Sequence, residues 1–188
     1  IDTWQMDPLD VRNKITDKTK AVMAVHLYGH PCDMDALTSI TKEHGLYLIE
    51  DCAEAIGSKY KKRNTGTFGD IATFSFFGNK TITTGEGGMV VSNDETLHDR
   101  VMHFKGQGLA RHREYWHHVV GYNYRMTNIC AAIGLAQLEQ VQSFINRKIE
   151  IAEKYKEHFE NTDILFHQCH PDVVHSYWMC SILFRDAN

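Results

Sequence analysis

Two short stretches of this sequence carry side chains that could do chemistry at a shared site. The first is Glu50-Asp51-Cys52-Ala53-Glu54, an acidic group set directly after the apolar run Leu46 to Ile49. A carboxylate at the end of a buried strand is costly unless something cationic meets it. Asp51 could answer such a cation, or could cap the turn that follows; the spacing leaves both open. The second stretch is Thr73-Phe74-Ser75-Phe76-Phe77-Gly78-Asn79-Lys80, followed by a glycine-rich turn ending in Gly85-Glu86-Gly87-Gly88. One lysine sits among aromatics. An amine drawn out of water loses its proton more readily and becomes a nucleophile toward an aldehyde. An exposed lysine on a β-turn has the same local signature. The glycine turn lacks the Lys-Ser/Thr of a phosphate-binding P-loop, so its glycines are read as permitting positive φ and close backbone approach.

Other polar groups are weaker signals. His26 lies at the end of the apolar run Ala21 to Leu27 and is read as a hydrogen-bonded structural residue. His117 and His118 follow Tyr115-Trp116 and could contact a substrate or pack at an edge. Arg125 could grip a carboxylate with two parallel hydrogen bonds, or form an ordinary surface ion pair. Among twelve histidines, only His167-Gln168-Cys169-His170 clusters, and it lacks a second ligand pair at zinc spacing, so no metal is expected.

The elements that must position these groups alternate in the first half of the chain. Ala21 to Leu27 reads as a strand, Asp33 to His44 as a helix capped by Asp33 and ended by Gly45, and Leu46 to Ile49 as a second buried strand. Strand, helix, strand at this spacing implies a parallel sheet covered by helices. Ser58 to Ile82 reads as short strands and turns, Gly88 to Ser92 as a strand and Asp94 to Lys105 as a helix. The stretch after Thr127 is apolar nearly all round, which predicts a helix buried on every side, with Ala131, Ala132, Gly134 and Ala136 admitting another helix closely. Helical spacing continues through Val141, Phe144, Ile145, Ile149, Ala152, Tyr155 and Phe159. The expected division is a large domain over 1–140, a bridging helix over 141–162 and a smaller domain starting at 163. A strand-like run, Trp178 to Phe184, lies near the end.

Length, at 188 residues, and composition, with 43% hydrophobic and 23% charged residues, suit a globular chain with a full core. The net charge of −4 gives no electrostatic reason to expect nucleic acid or an anionic membrane as partner. No apolar run approaches bilayer length. Five scattered cysteines favour reduced thiols and a cytoplasmic location. Both ends look cut, and the chain is read as an internal piece of a longer protein.

Three blocks, Glu50–Gly57 (EDCAEAIG), Gly66–Val90 (GTFGDIATFSFFGNKTITTGEGGMV) and Gly121–Glu139 (GYNYRMTNICAAIGLAQLE), together resemble the DegT/DnrJ/EryC1/StrS family. The resemblance spans about Ala21 to Phe159. It implies an α/β fold of the aspartate-aminotransferase type (fold type I), with pyridoxal phosphate (PLP, alternating with its amine form PMP) as cofactor. It implies an aminotransferase acting on a nucleotide-linked 4-keto-6-deoxy sugar with L-glutamate as amino donor, in a homodimer with shared active sites. Carried over by position, Lys80 would bond the cofactor and then move a proton, and Asp51 would face the ring nitrogen. Ala53 would lie on one ring face, Glu54 near the ring hydroxyl, and Ser75 at the phosphate. Asn123 would reach the phosphate of the neighbouring subunit. Tyr28, His117, His118 and Arg125 are candidates for substrate contact. Family members commonly carry His-Gly where this chain has Gly106-Gln107-Gly108, so the role of that loop stays open. A dehydratase of the same fold would have histidine in place of Lys80, and a non-catalytic sensor would not need the set Asp51, Ser75, Lys80 and Asn123.

Overall fold

A computed structural model describes residues 2–110 and 112–184. Ile1 and residues 185–188, at the outer ends of the two expected domains, lie outside the described residues. The elements run in order α1 (Pro8–Lys14), β1 (Ala21–Val25), a 3-10 turn (Leu27–Gly29), α2 (Met34–His44), β2 (Tyr47–Asp51), β3 (Lys59–Tyr60), β4 (Arg63–Asn64), β5 (Ile71–Ser75) and β6 (Gly88–Val91). They continue with α3 (Glu95–Lys105), α4 (Asn128–Leu138), α5 (Val141–His158), β7 (Ile164–Phe166), β8 (Val173–Val174) and β9 (Ile182–Phe184). The expected Asp33 cap forms, accepting from the Ala36 N–H, and the structure adds two more: Asp94 accepts from Leu97 and Thr127 from Cys130.

The main sheet has the order β1-β2-β5-β6. Strands β1, β2 and β5 are parallel, while β6 returns antiparallel to β5 as an edge strand. Side chains alternate across a strand, so each residue type has its face assigned. Val22, Ala24 and Leu48 turn toward Met34 and Leu37 of α2 and form the buried core with Cys32 and Tyr60. Helix α2 thus covers one face. Among the described residues the other face is open at Met23 and Tyr47, both exposed.

Helix α4 departs from the burial on every side that its apolar sequence predicts: none of its residues is buried, and Ile129 is 75% exposed. Its composition is apolar because something should cover it, but the described part of this chain does not. One point of close approach exists, where a Cβ on Gly134 would lie 2.7 Å from Thr84 Cγ2. The small residue therefore packs on the turn leading from Lys80 rather than on another helix. The run Trp178 to Phe184 is extended only over Ile182–Phe184, which pairs with β7; Trp178 sits in a bend.

Candidate active site

The parallel strands end at a common edge, and their alternation separates the two acidic residues. Glu50 points to the α2 side and is fully buried. Its carboxylate accepts from the backbone N–H groups of Gly66, Phe68 and Gly69, each at 2.7 Å, and from His26 Nε2 at 3.1 Å. His26 Nδ1 accepts from the Cys32 N–H at 3.1 Å, so Nε2 carries the proton given to Glu50. Burial alone would raise the Glu50 pKa, but the bonds from His26 and the backbone outweigh it and hold the group below its ordinary value. Ligand atoms of His26, Glu50 and Cys52 lie within 4.8 Å of one another, but hydrogen bonds already occupy the histidine and the carboxylate. Glu50 is the structural member of the pair, met by hydrogen-bond donors instead of a cation.

Asp51 faces the other way. In the register Val25↔Asp51↔Thr73 it shares its face with Thr73 and, two residues on, with Ser75. Its Oδ1 accepts from the Ala53 N–H at 3.0 Å, which is the turn-capping role. Among the described residues the other carboxylate oxygen has no partner. Among the described residues Ser75 Oγ accepts only a long 3.4 Å bond from the Phe77 N–H, which leaves its own proton uncommitted there. Lys80 lies in the connection from β5 to β6, where its N–H bonds Phe77 O at 3.0 Å. Positive φ at Gly85 and Gly87, at 82° and 138°, lets that connection fold back to the sheet. Lys80 Nζ makes no hydrogen bond or ion pair among the described residues. A carboxylate oxygen and a hydroxyl at paired strand ends, and an amine in the connection that follows, thus have spare bonding capacity at the edge where α/β sheets bind ligands. That donor set fits pyridoxal phosphate: Asp51 for a ring N–H, Ser75 for the phosphate and Lys80 for the aldehyde carbon.

The remaining expected residues divide. Glu54 accepts from the Tyr28 N–H at 2.7 Å, so the loop after β2 and the loop after β1 are tied together. Tyr28 is held at φ 58°, ψ 9°, a conformation unusual for a residue with a Cβ. Asn123 pairs with Gly106 across a single bridge and is exposed, as are His117, His118 and Arg125. Tyr122 O accepts from the Gln107 N–H and His117 Nδ1 bonds Gln107 O, which braces the Gly106–Gly108 loop. No hydrogen bond or ring contact joins Asn123, His117, His118 or Arg125 to Asp51, Ser75 or Lys80 among the described residues. Arg125 makes no ion pair there. A cavity of about 790 Å³ beside α3 includes His118 and Arg100 in its lining, but neither Asp51 nor Lys80.

Sequence reasoning missed Trp178. Its ring centroid lies 4.2 Å from Lys80 Nζ, and its Nε1–H donates to Asn79 O at 2.9 Å. Nothing local could have signalled a partner 98 positions away. The segment before it is docked on the main body: β8 pairs with β3, and Gly29 O accepts from the Ser176 N–H and from Ser58 Oγ. Gly29, at φ 97°, is required there, since a Cβ would come within 2.5 Å of Ser176 Oγ.

Buried histidines stitch this docked segment. His175 Nδ1 accepts from the Tyr177 N–H at 3.0 Å, and the Nε2 atoms of His167 and His175 stand 2.6 Å apart. Burial, then His30 and Lys156, push His167 down to about 4; burial, then His167 and His30, push His175 down to about 2. Both folded pKa values lie below the unfolded value near 6.5, so the unfolded chain binds more protons. Stability from these histidines is full above about pH 6.5 and is lost as pH falls toward 4 and then 2. Urea unfolding should show a drop of about 1–2 kcal/mol between pH 7 and pH 4.5, after allowing for solvent screening. His167→Phe should reduce that drop by about half, since His175 stays buried. An equal drop in the variant would place the acid sensitivity elsewhere.

A model of the DegT/DnrJ/EryC1/StrS aminotransferase family matches residues 1–188. The chain is 67% identical over 186 residues to the GDP-perosamine synthase of Escherichia coli O157:H7, covering 99% of this chain and 51% of the relative. It is 53% identical over 182 residues to that of Vibrio cholerae, covering 97% and 50%. Its fold matches Helicobacter pylori PseC, an aminotransferase involved in the biosynthesis of pseudoaminic acid, with TM-score 0.91 and 29% identity over 98% of this chain and 51% of that one. DesV of S. venezuelae, solved in complex with a ketimine intermediate, matches with TM-score 0.92 and 33% identity over 99% and 50%. The chain spans about half the length of the curated relatives it matches. With the family model matched end to end, the carboxylate and hydroxyl on adjoining strand ends and the lysine in the connection that follows, this chain belongs to the DegT/DnrJ/EryC1/StrS family of PLP-dependent aminotransferases.

Proposed function

We infer that the full protein transfers an amino group from L-glutamate to C4 of a nucleotide-linked 4-keto-6-deoxy sugar. The substrate is GDP-4-keto-6-deoxy-D-mannose and the product GDP-perosamine, a precursor for O-antigen in lipopolysaccharide. The observation that supports this most directly is the 67% identity, over 186 residues, to a relative named for that product. Pyridoxal phosphate, when bound, supplies the electron sink that lets an amino group be taken from one carbon and given to another. The chain's own residues do the rest. Asp51 holds a proton on the ring nitrogen by its negative charge, Ser75 donates to the phosphate, and Lys80 carries a proton between the donor and acceptor carbons. Ala53 leaves room for a flat ring beside Asp51. The test is a half-reaction series with the full-length protein. L-Glutamate should bleach its yellow colour, and among nucleotide-linked 4-keto sugars the GDP-linked 6-deoxy-mannose derivative should restore it fastest. A faster UDP- or TDP-linked sugar would overturn the substrate, and a colour indifferent to glutamate would overturn the reaction.

The protein works in the cytoplasm as a homodimer with shared sites, in this reading. The bare apolar surface of α4 supports a covering partner. A mixed dimer tests it. Combining a Lys80→Ala subunit with an Asn123→Ala subunit puts both lesions in one site and leaves the other intact. The hybrid should regain activity in one site of two, although each parent homodimer is impaired. A confirmed hybrid with no recovery would mean that Asn123 serves its own subunit.

A further inference from the structure

The amine of Lys80 has one neighbour of consequence among the described residues, and it is an aromatic face. Nζ stands 4.2 Å from the ring centroid of Trp178, inside the range at which a cation is attracted to an indole. No carboxylate there pairs with it. The indole is anchored from several directions. Its N–H donates to Asn79 O at 2.9 Å, on the residue before the lysine, so the ring and the lysine backbone move together. The Trp178 carbonyl accepts from Lys148 Nζ of α5 at 3.3 Å. One residue earlier, Lys156 Nζ of α5 donates to the Tyr177 hydroxyl at 2.8 Å. Tyr28 stacks on the indole, with centroids 6.3 Å apart and 20° between planes. Tyr28 and Tyr177 both sit at positive φ, 58° and 48°, which residues with a Cβ keep only where their surroundings enforce it. Such strain clusters where a side chain must be aimed.

On the reading that Lys80 bonds the cofactor, its amine is free whenever an amino acid or sugar amine takes its place. It must then carry a proton, and as an ammonium it needs a partner. We propose that the indole face of Trp178 is the docking face for the free Lys80 ammonium, which makes Trp178 a positioning residue for the lysine. A π face suits this role better than a carboxylate would. It attracts the charged form weakly, takes no proton from it, and releases it without breaking a salt bridge.

The test uses the full-length protein loaded with pyridoxamine phosphate, whose amine cannot bond a lysine, so Lys80 is free. Acetylation of Lys80 by acetic anhydride is followed by peptide mass. Trp178→Leu keeps apolar bulk without a π face, and Trp178→Phe keeps a face without the N–H. At pH 8 the Leu variant should be acetylated about fivefold faster at Lys80 than the wild type, and the Phe variant within about twofold of it. At about pH 11 the excess should shrink to about twofold, because lysine amines are then mostly uncharged. Equal rates at pH 8, or an excess that persists undiminished at pH 11, would overturn the proposal, the latter by showing that the indole only shields. A Phe variant as fast as Leu would also overturn it. A wild-type holoenzyme whose borohydride-trapped cofactor maps to another lysine would overturn the underlying reading as well, and is read from a separate measurement.

Discussion

Lys80→Ala in the full-length protein is expected to abolish turnover, by on the order of 10⁴-fold or more, while leaving the fold nearly intact. The two halves of that expectation rest on different observations. Lys80 is the one lysine in the connection between β5 and β6, which leaves the strand carrying Ser75, neighbour of the strand carrying Asp51. Its Nζ makes no hydrogen bond or ion pair among the described residues, so its loss removes chemistry and little packing. The connection itself is held by other groups: buried Ile82 and Thr84, and the Thr83 N–H donating to Gln137 of α4 at 2.9 Å. Thermal unfolding should therefore stay within a few degrees of wild type. Borohydride reduction of the wild type followed by peptide mapping should find the cofactor on Lys80. An adduct on any other lysine, or a variant that turns over at more than a few per cent of the normal rate, would sink the assignment.

Asp51 is the second position where a large effect is expected, and its two roles can be separated. Its Oδ1 caps the turn at the Ala53 N–H, and its free oxygen faces the side of the sheet shared with Ser75. Asp51→Asn keeps an oxygen for the cap but loses the charge that holds a proton on the ring nitrogen. Asp51→Ala loses both. Turnover should fall by ~10²–10⁴ in each, since positioned electrostatic groups are worth about that much. Stability should fall by about 1 kcal/mol in the alanine variant only, the usual worth of a cap. Cofactor affinity, measured by absorbance titration, should drop in both. Near-normal turnover in the asparagine variant would reduce Asp51 to a structural cap.

Short-range patterns along the chain set the local pieces of the fold. Asp33, Asp94 and Thr127 start their helices where their short polar side chains can reach a backbone N–H. The apolar runs before His26 and Glu50 became neighbouring parallel strands, because a strand–helix–strand unit closes only one way onto a sheet. The motif blocks placed Asp51 and Ser75 at the ends of paired strands and Lys80 in the connection that follows. What tertiary structure alone decided lies at long range or on a face. Two adjacent carboxylates look alike in sequence, but side-chain alternation sends Glu50 into four hydrogen bonds and Asp51 to the open face. The apolar character of α4 reads as burial, yet hydrophobicity says only that a surface wants covering, not which chain covers it. Trp178 meets Lys80 because three independent tethers, to Gly29, to β3 and to α5, bring distant residues onto the site. Those contacts depend on how the chain closes over itself, and no periodicity or local propensity encodes that.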